Sequence, residues 1–343
     1  YHVRRPTSVL ATREFRRLVW ETDPDPTLRM RHFHLHGIPA TASAILDRTP
    51  VLSNGDVARS FVQPTAADEV FYRNAQGDEL LYVSQGTGTL ETQMGRLPFR
   101  PGDYLLVPRG IIYAVRPAEQ PARLLVIESA GPIRPPKRYC NERGQFLEHS
   151  PYCERDLRLP EELPVHDEAG EFRVVVKREN LLTEVTLDHH PLDVAGWDGY
   201  YYPWALSIHD FEPITGSLHQ PPPVHQTFEG DGFVVCSFVP RLFDFHPQAV
   251  PAPYNHANVD SDEVLYYAND EFMSRKGIAF GSLTLHPGGL PHGPHPGRAE
   301  ASIGKQRTDE LAVMLDTFRP LQVARAVLEF EDPSYARSWL DAE

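Results

Sequence analysis

The feature that most constrains this chain is an internal repeat. The stretch FYRNAQGDELLYV, from Phe71 to Val83, superposes without a gap on part of PYNHANVDSDEVLYYAND, from Pro253 to Asp270. Asn74 falls on Asn258, Asp78 on Asp262, Glu79 on Glu263, Leu81 on Leu265 and Tyr82 on Tyr266. The likeness continues downstream, where Glu79 lies 29 residues before Pro108 in PRG and Glu263 lies 28 before Pro291 in PHG. A pattern carried twice by a chain of 343 residues predicts two copies of one structural unit, and that length suffices for both cores.

Each copy is written in short strands. Glu79–Val115 alternates β-branched, aromatic and aliphatic residues with Gly and Pro punctuation. GTGT and MGR read as hairpin turns, and RPGD as a turn ahead of YLLVP. In the second copy the strand SLTL likewise meets a Gly/Pro-rich turn. Thirty-three prolines favour many short elements over long helices, and DPSYARSWLDAE at the C-terminus is the clearest helical candidate. The expected fold is mainly β, with two small barrels or jelly rolls and few short helices. The first module is expected over residues 1–165 and the second over 166–343.

One difference between the copies is chemically loud, because Tyr72 falls on His256. The marked positions are His256, Glu263 and His292 in the second copy, against Tyr72, Glu79 and Arg109 in the first. Two histidines and one carboxylate make the facial triad of non-haem Fe(II) oxygenases, which leaves coordination positions open. Tyr, Glu and Arg cannot make that set, since a guanidinium carries no acceptor lone pair. The second module is therefore expected to hold Fe(II), and the first to keep only the fold. His256 and Glu263 are seven residues apart, so on one unbroken strand they would face opposite sides. The intervening ANVDSD is rich in turn-formers that can re-aim the chain.

The other histidines read differently. HFHLHG sets His32, His34 and His36 on one strand face, but steps of ~6.6 Å along a straight strand are too long for one small ion. That segment is expected to be an exposed or half-buried strand. His149, His189 and His190 read as loop or surface residues. His219, His225 and His286 stand nearer the site, and His225 is expected to be a neutral structural side chain. The sequence holds no GxGxxG after a strand, no P-loop, no HExxH and no GxSxG. A Ser/His/Asp triad stays open, because its members need not be neighbours in sequence.

A net charge of −14 disfavours nucleic acid or an anionic membrane as partner. Three cysteines without CxxC spacing argue against disulfides and thiolate metal sites and fit a reducing, cytoplasmic setting. No apolar run approaches the ~18 residues of a membrane span. The start, YHVRRPTSVLATREFRRLVW, has no apolar signal core, and because it lacks Met, part of the natural N-terminus is expected to be missing.

With these residues in view the chain resembles the homogentisate 1,2-dioxygenase family, in its shorter bacterial branch, along nearly its whole length. The resemblance rests on YRNAQGDELLYV, GDYLLVPRG, PPKRY, LEHSPYCERDLR, DVAGWDGYYYPWALSIHDFEPITGSLHQPPPVHQTFEG, VPAPYNHANVDSDEV and SLTLHPGGLPHGPHPG. It implies a bicupin fold with iron in the C-terminal cupin and a metal-free N-terminal one. Carried over by position, the iron ligands are His256, Glu263 and His292. The acid–base histidine is His219, and a second histidine near the substrate is His286. The grip on the substrate carboxylate is Tyr254 together with a cation, either Arg275 or Lys276. Asn255 departs from the family, which carries a second tyrosine there, and the departure leaves the substrate's side chain open. The implied reaction consumes dioxygen and opens homogentisate between C1 and C2, giving a maleylacetoacetate-type acid in aromatic catabolism. A homo-oligomer is expected. Cleavage of another hydroquinone, gentisate-like or from secondary metabolism, is the nearest alternative. A cupin that binds a small molecule without turning it over is the more distant one.

Overall fold

The computed structural model describes residues 1–340. Its strands build three large sheets stacked in layers. The first has seven strands, in the order Val9–Arg17, Leu181–His189, Ala169–Arg178, Phe71–Asn74, Ile112–Pro117, Gly88–Thr92, Gly95–Phe99. The second has eight, running Leu157–Arg158, Trp204–Ser207, Asp103–Val107, Glu79–Gln85, Arg123–Ser129, Val57–Val62, Thr49–Ser53, Gln322–Val323. The third has six, running Gln226–Gly230, Phe233–Phe238, Ala312–Thr317, Asp262–Tyr267, Ser282–His286, Arg31–His34. A two-stranded ribbon, Arg241–Leu242 with Arg307–Thr308, accompanies the third sheet. The single α-helix among the described residues, Arg298–Ser302, has five residues. The fold is mainly β and bicupin in organisation, as expected.

The apolar patterning explains the layering. In Glu79–Gln85, Leu81 and Val83 enter one core cluster with Leu105, Val107, Leu124 and Val126. The alternate residues Leu80 and Tyr82 enter another, with Phe228, Val235, Val264, Tyr266 and Val313 of the third sheet. A strand buried on both faces reads as a continuous apolar run, which is why ELLYV, DYLLV and RLLVI look alike. On the far face of the third sheet Cys236, Leu265, Tyr267 and Met314 form a smaller cluster. Glu263 lies on this face too, two residues before Leu265 on the same strand. Hydroxyl pairs cross the module interface at Ser84–Tyr266 (2.5 Å) and Tyr104–Ser237 (2.8 Å). They satisfy polar groups that would otherwise be buried unpaired.

The expected boundary at 165/166 does not follow the sheets. Ala169–Arg178, Leu181–His189 and Trp204–Ser207 pair with strands of the first module. Arg31–His34 pairs with Ser282–His286, and Gln322–Val323 with Thr49–Ser53. Each module thus lends a strand to the other's sheet edge, which covers hydrogen-bonding groups that an open edge would expose. The helix expected over 332–343 is instead the 3-10 turn Tyr335–Arg337, continued by i to i−3 bonds at Ser338 and Leu340. Isolated helices of about 12 residues are marginal. The last three residues of that stretch lie outside the described residues. No helix among the described residues is long and apolar enough to cross a membrane.

Candidate metal centre

The repeat fixes the geometry of the centre. Asp262 is the anchor, its two carboxylate oxygens accepting the N–H groups of Gly288 and Leu321, both at 2.8 Å. In the first copy Asp78 accepts from Arg109 and Ile133 in the same manner, both at 2.9 Å. These clamps hold the turn after one strand against the start of the next, so that Glu263 pairs with His286 and Glu79 with Val107. Gly281 and Gly102, then Gly289 and Gly110, take positive φ at equivalent points, a conformation that favours glycine.

This register corrects the expected equivalence of Arg109 with His292. With Arg109 opposite Gly288, His292 corresponds to Tyr113. Arg109 is exposed, whereas Tyr113 is fully buried and donates its hydroxyl to Glu79 at 2.5 Å. The equivalent position in the first copy holds Glu79 with Tyr113, Tyr72 (3.4 Å) and a residue the sequence reading missed, Arg48, whose Nη1 lies 2.5 Å from Glu79. Burial alone would raise the Glu79 carboxyl, but the Arg48 guanidinium holds it below the usual carboxylate range. A guanidinium stands here as the carboxylate's cation. The loop bearing Arg48 shows no periodicity, so only the requirement that a buried carboxylate be paired pointed to such a residue.

In the second copy the structure brings His256, Glu263 and His292 together, one ligand atom from each lying within 4.8 Å of the others. His256 and His292 exchange both backbone hydrogen bonds, at 2.8 and 2.7 Å, so their rings lie side by side with centroids 4.3 Å apart. His256 Nδ1 lies 3.0 Å from the Tyr254 carbonyl and His292 Nδ1 3.5 Å from that of Leu290. Donation from Nδ1 leaves each Nε2 as a lone pair directed inward. His292 Nε2 is buried, has no hydrogen-bond partner and sits 3.5 Å from Glu263 Oε1. An orphaned imidazole nitrogen beside a carboxylate and a second imidazole fits a divalent metal in donor type and number. Burial opposes charge on Glu263, yet the hydrogen bond from His286 holds it well below the usual range.

The other expected residues fall into two groups. Tyr254 is 62% exposed at the rim; its ring stands 5.5 Å from that of His256 and 5.9 Å from that of His219. His219 is exposed, with Nδ1 3.4 Å from Asp244 Oδ2. His286, by contrast, is fully buried, its Nδ1 2.7 Å from Glu263 and its Nε2 3.1 Å from the Tyr335 hydroxyl. It links the Glu263 carboxylate to the Tyr335 hydroxyl within the core. Arg275 is buried, with a hydrogen bond to the Gly293 carbonyl and its guanidinium 5.6 Å over Trp339, while Lys276 is exposed. Asn255 abuts Gly293 closely enough that a Cβ there would meet Asn255 Oδ1 at 2.0 Å. A further residue escaped the sequence reading. Asp316 pairs across from Glu263, and burial together with Glu263 and Asp260 pushes its carboxyl up to about 8.

Among the remaining histidines, His225 packs on Phe238 at 4.6 Å, and burial lowers it to about 3, matching a neutral structural side chain. His149 is exposed as expected. His189 is not a loop residue: it ends the strand Leu181–His189 and is buried. HFHLHG does not run straight, because its strand stops at His34 and a 3-10 turn, Leu35–Gly37, follows. His36 turns away to Arg123 and Tyr266, while His32 and His34 meet Asp332.

A family model described as the N-terminal part of homogentisate 1,2-dioxygenase matches residues 15–208. A protein of Saccharolobus solfataricus named as a candidate dioxygenase is 43% identical over 99% of this chain and 88% of its own length. The homogentisate 1,2-dioxygenase of Bradyrhizobium diazoefficiens is 28% identical over 76% of this chain, and that of a Rhodopseudomonas palustris strain 27% identical over 94%. The matches span 60% and 73% of those two enzymes. Among solved structures, a cupin barrel protein of Leptotrichia buccalis aligns with 86% of the chain at a TM-score of 0.40 and 10% identity.

Proposed function

Because the chain belongs to the homogentisate 1,2-dioxygenase family, we propose that it is an Fe(II)-dependent dioxygenase that opens the ring of homogentisate or a close relative. The observation that carries this reading is the His256, Glu263, His292 cluster with its orphaned Nε2, found only in the copy that lacks an arginine counter-ion. Iron held by these three residues would supply open coordination positions for substrate and dioxygen and the electron exchange that dioxygen chemistry requires.

The chain's own residues then divide the work. His219, at the rim beside Tyr254 and oriented by Asp244, takes the phenolic proton of the substrate and returns it to the product. His286 accepts the Tyr335 hydroxyl at Nε2 and donates Nδ1–H to Glu263, fixing the carboxylate that faces the metal. Arg275 and Asn255 flank Gly293, next to His292, and Tyr254 offers a hydroxyl nearby; together they hold the acidic side chain of the ring. Lys276, turned to solvent, is not part of that grip. The expected product is the ring-opened maleylacetoacetate-type acid, carrying both oxygen atoms of dioxygen.

Asn255 favours a second reading within the same chemistry, a hydroquinone acid bulkier or more polar than homogentisate, because it replaces the family's tyrosine with a smaller amide. Anaerobic reconstitution with Fe(II), followed by oxygen uptake with homogentisate, gentisate and methylhydroquinone, tests both. Uptake with homogentisate above the others supports the first reading. Preference for another hydroquinone acid supports the second. No uptake with any of them would leave a binding protein without turnover.

A further inference from the structure

Outside the triad, one other cluster among the described residues has the make-up of a metal site. His32, His34 and Asp332 each place a ligand atom within 4.8 Å of the others. His32 and His34 come from the amino-terminal strand that edges the third sheet, and Asp332 opens the carboxy-terminal turn. Segments about 300 residues apart in the sequence thus meet at one point. We propose that these three side chains form a second cation site, separate from the catalytic triad, that takes a divalent metal of the zinc class and pins the carboxy-terminal turn to the amino-terminal strand.

The hydrogen bonding around the cluster leaves one atom of each inner ligand unspent. His32 is fully buried, and its Nε2 lies 2.8 Å from Ser282 Oγ, which also accepts the Ala279 N–H at 3.1 Å. Its Nδ1 is buried without a hydrogen-bond partner and stands 3.5 Å from Asp332 Oδ2. On Asp332, Oδ1 already accepts both the N–H and the hydroxyl of Ser334, at 2.9 and 2.6 Å, and the Asp332 N–H donates to the His32 carbonyl at 2.8 Å. The carboxylate is therefore fixed by its own backbone with Oδ2 turned to the imidazole. The His34 ring lies 4.4 Å from that of His32, edge to face, and is open to solvent.

Two imidazoles and one carboxylate suit Zn(II) and its borderline neighbours better than Mg(II) or Ca(II), which prefer all-oxygen sets. The cation would also steady Tyr335, whose ring stands 5.2 Å from that of His32 and whose hydroxyl bonds His286.

The test is zinc stoichiometry on the full-length protein, stripped with a chelator, reloaded with Zn(II) and desalted. Four proteins are compared: wild type, His256→Ala, Asp332→Asn, and the double variant. His34→Ala serves as a second probe, since both of its neighbours in the site stay intact and its side chain is exposed. The expected pattern is one zinc fewer in Asp332→Asn and in His34→Ala than in wild type, and one zinc retained by His256→Ala but absent from the double variant. Co(II) in place of zinc should give visible ligand-field absorption in His256→Ala that disappears on adding Asp332→Asn. Equal zinc content in wild type, His34→Ala and Asp332→Asn would overturn the proposal, as would loss of all bound zinc from His256→Ala alone.

Discussion

Replacing Arg48 by methionine should destabilise the first module while leaving the metal centre untouched. Arg48 Nη1 sits 2.5 Å from Glu79, its Nη2 2.8 Å from the Tyr113 hydroxyl, and both charged groups are nearly excluded from water. Arg48→Met leaves a buried carboxylate with only the hydroxyls of Tyr113 and Tyr72. Breaking one side of such a pair costs about 3–5 kcal/mol, because the remaining charge is uncompensated. Removing both charges in Arg48→Met with Glu79→Gln should recover most of that loss, since a buried pair stabilises little relative to neutral groups of similar volume. Urea titration of the four proteins of this double-mutant cycle measures the coupling. The sign with pH is also fixed. In the wild type the depressed Glu79 contributes stability above the ordinary carboxylate range and loses it as pH falls through the depressed value. In Arg48→Met burial raises the carboxyl instead, so protonation relieves the penalty and the gap between the two proteins narrows as pH falls. A single variant that loses less than about 1 kcal/mol, or a double variant no better than the single, would refute the reading of Arg48 as the counter-ion.

Three further outcomes follow from the same geometry. His219→Asn should keep iron and substrate binding while lowering kcat by roughly 10²–10⁴-fold, as for a lost general base; wild-type turnover would return His219 to the surface. Arg275→Met should raise KM for hydroquinone acids and leave methylhydroquinone unaffected, whereas Lys276→Met should change neither, and steady-state oxygen uptake separates the two. Gly77→Ala should lower the melting temperature severely, because the added Cβ would sit 1.7 Å from the Ser129 carbonyl oxygen and the backbone must shift.

The fold class was legible because both copies carry apolar runs punctuated by Gly and Pro, and those runs are buried on one or both faces. The clustering of His256, Glu263 and His292 was legible because these residue types are rare in combination and the first copy carries Tyr72 where the second has His256. What the sequence concealed was register. Pairing Pro108 with Pro291 made Arg109 look equivalent to His292, while the correct match runs through Gly102 and Gly281 to Tyr113. The two glycines with positive φ ahead of each site, in PGDYLLVPRG and FGSLTLHPGG, carried that signal. Arg48 and Asp316 were hidden for another reason: their roles arise from burial beside a carboxylate, and burial of a lone polar residue leaves no periodic trace. The exchanged edge strands, Arg31–His34 and Gln322–Val323, are too short and too distant from their partners to be placed by pattern.

The central claim is that one copy of the repeat binds iron and the other holds an arginine in its place. Iron content per folded chain after anaerobic Fe(II) loading tests it directly, in wild type, Glu263→Ala and Arg48→Met. Glu263→Ala should lose about one equivalent of iron relative to wild type, and Arg48→Met should lose none. Unchanged iron in Glu263→Ala, or loss of iron from folded Arg48→Met, would contradict the account.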